Sequence, residues 1–121
     1  MAKNIRTLVA IASLPLMVGV ASASGPYAGS CGASLDAVET AIVAATFYDP
    51  KAASNESNMI LKLDSAAAKL GQSKPLDAIA NLESISDRAT ELATAPKPKL
   101  DDAAGINAAA ASAITCVGAN Y

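Results

Sequence analysis

The chain of 121 residues has the length of one small domain, and its nine Lys and Arg against eleven Asp and Glu leave a net charge of −2. His and Trp are absent, aromatics make up 3% and charged residues 17%. That composition excludes the basic, aromatic-bearing surface of a nucleic-acid binder and the imidazole ligands on which most metal and haem sites depend.

The N-terminus reads as an export signal. Residues 1–6 carry Lys3 and Arg6 and no acid, residues 7–20 form an apolar run containing Leu8, Val9, Ile11, Leu14, Leu16, Met17 and Val18, and Ala21-Ser22-Ala23 supplies the small-x-small cleavage pattern. The run falls short of the roughly 20 residues that span a bilayer, and Pro15 interrupts it. A signal peptide over residues 1–23, cleaved on export, is therefore predicted, followed by a single helical domain over residues 24–121 with no membrane span. Cys31 lies too far beyond the apolar run to be a lipid-acceptor cysteine. A secreted or periplasmic location follows.

Removing Lys3 and Arg6 leaves seven basic against eleven acidic residues, a net charge of −4. Hydropathy overstates the core, because 29 of the 121 residues are Ala. The larger core candidates in residues 24–121 number 19: eight Leu, six Ile, three Val, Met59 and Phe47. Such a domain has a small margin of stability. Cys31 and Cys116 are the two cysteines, near opposite ends of the exported chain, and they read as one structural disulfide. The C-x-x-C spacing of a redox pair is missing.

In chain order, helix one begins near Ser34 as N-cap, carries Leu35, Val38, Ile42 and Ala45 on one face, and ends around Phe47-Tyr48 before Asp49-Pro50. Residues 51–58 are ambiguous, since Ser54, Asn55, Ser57 and Asn58 offer the backbone competing hydrogen bonds. Helix two is clear from Met59 to Leu70, with Gly71 as a C-terminal stop. Helix three opens at Ser73-Lys74-Pro75 and sets Leu76, Ile79, Leu82, Ile85, Ala89 and Leu92 opposite Asn81, Glu83, Asp87, Arg88 and Glu91, until Ala95-Pro96 halts it. Helix four starts near Asp101 or Asp102 and runs to Gly118, with Ala108 to Ala111 giving high helix propensity and little buried area.

The predicted fold is all-α: an alanine-rich up-down four-helix bundle closed by one disulfide between its N- and C-terminal helices. An even number of antiparallel helices returns the chain to its starting pole, which is what brings Cys31 and Cys116 within bridging distance. Tyr27 and Tyr121, at the two ends of the domain, are placed to pack together over that bridge.

General acid–base and nucleophilic catalysis at neutral pH lean on His, and no pair of carboxylates stands out for a glycosidase-type site. Asp101-Asp102 reads as capping for helix four rather than as a chelate. No cofactor and no enzymatic activity are expected. Asn55-Glu56-Ser57 matches a glycosylation acceptor, a match short enough to arise by chance. Tyr48, Asp49, Pro50, Asn55 and Asn58 mark the expected mobile, exposed interaction loop. The leading functional expectation is a non-enzymatic binder of a protein partner or envelope component. The alternative is a carrier of a small apolar ligand between the helices.

Overall fold

Four stretches of three- and four-residue apolar spacing fold as four helices: α1 (Gly32–Ala44), α2 (Ala52–Gly71), α3 (Pro75–Thr94) and α4 (Ala104–Asn120). The computed structural model describes residues 27–121, so the expected signal peptide at residues 1–23 lies outside the described residues. Each helix packs on its neighbour in sequence, α4 closes against α1, and the backbones of the diagonal pairs α1/α3 and α2/α4 stay apart. That is the up-down arrangement of a four-helix bundle. The Cys31–Cys116 disulfide joins the start of α1 to the last turn of α4 across a Cα separation of 5.9 Å, well inside the range a disulfide requires.

The core is a column of fully buried positions at helical spacing. Leu35, Val38 and Ile42 come from α1, Met59, Leu63 and Ala66 from α2, Ala78, Leu82, Ile85 and Ala89 from α3, and Ile106, Ala110, Ala113 and Val117 from α4. Alanine at Ala110 and Ala113 lets α4 lie close to α3 and α1, and both of those seams are more extensive than the α1/α2 seam. Polar groups join the α3/α4 seam. Ser86 donates to Asn107 Oδ1 at 2.7 Å, and Asn107 Nδ2 donates to Thr90 Oγ1 at 3.1 Å.

The helix ends differ from the sequence expectation for identifiable reasons. α1 begins two residues before Ser34, with Cys31 as N-cap and no side-chain cap; the disulfide and the Gly32 N–H to Gly29 carbonyl bond of 3.1 Å anchor that start instead. It stops at Ala44, short of Phe47-Tyr48, because Ala45 turns extended (ψ 151°) and the chain pairs with residues 99–101. Phe47 and Leu100 form an isolated antiparallel bridge, and Tyr48 N–H donates to the Lys99 carbonyl at 3.0 Å.

Residues 52–58 are helical, so α2 starts seven residues before Met59. Asn55 and Met59 both turn into the core there, and tertiary packing overrides the local competition of Ser and Asn side chains. At its other end α2 runs through Gly71, and the left-handed residue of the α2–α3 turn is Ser73 (φ 60°). Pro75 opens α3 at its first position, where no N–H is missed. α4 continues past Gly118 to Asn120. Asp101 does not cap it. Its carboxylate accepts from Thr46 N–H at 3.2 Å, while Asp102 Oδ1 accepts from Ala104 N–H at 2.9 Å and serves the helix start.

Candidate functional site

The two poles of the bundle are chemically different. At the loop pole lie the residues singled out from sequence as an interaction loop. Tyr48, Asp49, Pro50 and Asn58 are exposed there, whereas Asn55 is 5% exposed and sits inside α2. The expected mobile loop is thereby divided: residues 46–50 are tied to residues 99–101 by backbone bonds, and residues 52–58 are helix. The Asn55 side-chain amide nitrogen is buried without a hydrogen-bond partner, so the acceptor asparagine of Asn55-Glu56-Ser57 is enclosed by the fold while Ser57 is exposed.

At the disulfide pole, the start of α1, the end of α2, the end of α4 and the segment leading into α1 surround a groove of about 320 Å³, open to solvent on one side. Leu35 and Leu70, both buried, form its apolar floor with Ala67, and Tyr27, Ala28, Gly29, Gly71 and Tyr121 complete the lining. Gly29 has φ +91°, a conformation open to glycine, and the Tyr121 hydroxyl stands 3.2 Å from where a Gly29 side chain would begin. Gly32 is required for a second reason, since a Cβ there would lie 2.5 Å from the Tyr27 carbonyl oxygen. This close approach seats Tyr27 against the bundle.

Tyr27 links the groove to a group of carboxylates on the α1/α2 seam. Its hydroxyl donates to Asp64 Oδ1 at 2.6 Å, and its backbone N–H reaches Asp36 Oδ1 at 3.4 Å. Asp64, Ala67 and Gly71 lie at i, i+3 and i+7 on α2, so the acidic edge and the apolar floor share one helical strip. Burial, and next the hydrogen bond to Asp64, push Tyr27 ionisation far above the usual tyrosine range. Glu39 is likewise raised, first by burial and then by the charges of Asp36 and Asp64. Among the described residues, the ion pair formed is Arg88–Glu91 on α3, and no Lys or Arg pairs with Asp36, Glu39 or Asp64.

The disulfide stands at the same pole. Cys31 is fully buried and Cys116 partly exposed. Asn120 Nδ2 donates to the Cys116 carbonyl at 2.8 Å and approaches the Cys116 sulfur at 3.5 Å, which satisfies the last turn of α4 beside the bridge. Tyr27 and Tyr121 do converge at this pole, as walls of one groove, with the Tyr27 hydroxyl committed to Asp64.

The groove and its acidic edge were not foreseen from sequence. One signal was available: α1 carries Asp36 and Glu39 one turn apart and no basic residue to balance them. Comparison with protein-family models, with curated proteins and with solved structures finds no match to this chain.

Proposed function

We propose that the protein is a small exported, non-enzymatic helical binder that engages a protein partner or envelope component through the groove at its disulfide pole. The observation that carries this reading is a solvent-open apolar groove walled by Tyr27 and Tyr121 at the pole fixed by the disulfide. Aromatic walls around an apolar floor are the usual anchor of an interface, and a covalently fixed pole limits the entropy lost on binding. The disulfide suits an oxidising, non-cytoplasmic compartment, and no helix among the described residues is long and apolar enough to cross a membrane.

The carrier reading has one observation in its favour, the groove volume of about 320 Å³, which lies at the small end of the roughly 300–1,000 Å³ typical of ligand pockets. Native mass spectrometry of the protein purified from its own culture medium or periplasm separates the two. A binder gives the mass of residues 24–121 less two hydrogens and no organic adduct. A stoichiometric lipid or other apolar adduct, lost on unfolding, would overturn the binder reading in favour of the carrier.

A further inference from the structure

Resting on the groove as the binding surface, we propose that its occupant is a cationic apolar peptide segment of a partner protein, with an apolar side chain on the Leu35–Leu70 floor and a Lys or Arg at the carboxylates of Asp36, Glu39 and Asp64. Charge complementarity selects this occupant. Three carboxylates from two helices gather around Tyr27, which itself lines the groove, and no Lys or Arg among the described residues pairs with them. The mutual field of Asp36 and Asp64 on Glu39 is an electrostatic cost of the free protein that a bound ammonium or guanidinium relieves. With a net charge of −4 on residues 24–121, the whole molecule also attracts a basic partner at long range.

Leu35, Ala67 and Leu70 are the aliphatic part of the groove's lining, and its volume of about 320 Å³ leaves room for an apolar side chain of the occupant. Asp64 lies one turn from Ala67. A cationic residue next to the apolar anchor in the partner segment is the arrangement that this spacing favours. The acidic cluster does not assemble as a metal site, since no group of three His, Cys, Asp or Glu among the described residues is arranged to hold an ion.

The test is an NMR titration of the isotopically labelled, disulfide-intact exported protein with three capped peptides: acetyl-Lys-Leu-Leu-Lys-amide, the same peptide with Gln for Lys, and the same with Glu for Lys. The lysine peptide is expected to shift the Tyr27, Leu35, Leu70 and Tyr121 amides and to bind about tenfold more tightly than the glutamine peptide at low salt, an advantage lost in concentrated salt. Asp64→Asn should weaken it about threefold or more, and Asp87→Asn, on the outer face of α3, should leave it unchanged. Glu39→Gln gives the same reading should Asp64→Asn fail to fold. Equal binding of the lysine and glutamine peptides, or tighter binding of the glutamate peptide, would overturn the cationic assignment and leave the groove reading standing. Absence of any shift in the groove with all three peptides at millimolar concentration would overturn both.

Discussion

Tyr27 and Asp64, 37 residues apart in sequence, meet through a 2.6 Å hydrogen bond in which the phenol donates to the carboxylate, and this bond fastens the segment before α1 to the flank of α2. A charge-assisted bond of this kind at a partly exposed site contributes about 1 kcal/mol. Tyr27→Phe should therefore lower the melting temperature by about 4–8 °C. Spectrophotometric titration supplies a second reading. The wild type should show one tyrosine ionising well above the ordinary value of about 10, and Tyr27→Phe should abolish that late step. A variant that melts with the wild type and keeps the step would show that the bond is absent in solution.

Glu39 holds its proton more tightly in the fold than in the open chain, because burial and the neighbouring Asp36 and Asp64 disfavour its charge. A carboxyl raised in this way penalises the folded state as the pH climbs from the ordinary value of 4.5 through the raised one, and costs nothing below both. Glu39→Gln should therefore raise the melting temperature at neutral pH and leave it unchanged at about pH 3. Melting curves at the two pH values check this, and a gain that is equal at both would contradict it.

Gly32 and Gly71 make a contrasting pair. An added Cβ at Gly32 meets the Tyr27 carbonyl oxygen at 2.5 Å and its carbon at 3.0 Å, whereas nothing lies within 4 Å of one at Gly71. Gly32→Ala should destabilise by about 2 kcal/mol as the Tyr27 segment is displaced. Gly71→Ala, in a helical position, should be neutral or stabilising by up to about 1 kcal/mol. Chemical denaturation of the two variants measures the difference, and equal midpoints would refute the close packing at Gly32.

Asn55 is buried with an amide nitrogen that has no partner. Since an unsatisfied buried donor costs about 1–3 kcal/mol, Asn55→Leu, which keeps the number of side-chain heavy atoms and removes the unpaired donor, should stabilise the protein by about 1 kcal/mol. The burial also predicts that folded protein from a glycosylating host carries no glycan at Asn55, which intact-mass measurement reads directly. Loss of stability in Asn55→Leu would mean that the amide is satisfied in solution.

The four helices were legible because Leu35-Val38-Ile42, Leu63-Leu70 and Leu82-Ile85-Ala89-Leu92 repeat at helical spacing and bury as that spacing implies. The even helix count and the disulfide fix the topology together, since only an even up-down chain returns Cys116 to Cys31. The helix ends were less legible. The pairing of Phe47 with Leu100, 53 positions on, decides where α1 stops, and nothing near Phe47 announces it. Packing of Asn55 and Met59 decides that residues 52–58 are helix against their local preference. The candidate groove was hidden for the same reason: Tyr27, Leu35, Leu70 and Tyr121 come from both termini and two helices, and only the folded pole brings them together.

A core with few large side chains depends on its covalent link between the first and last helices. Closing a loop with a sequence separation of 85 residues contributes about 4–5 kcal/mol in the chain-entropy model. Thermal unfolding of the oxidised protein beside the Cys31→Ser, Cys116→Ser double variant measures this directly. The variant is predicted to melt about 20 °C lower. Coincident melting curves would contradict this dependence and show that the helices hold together without the bridge.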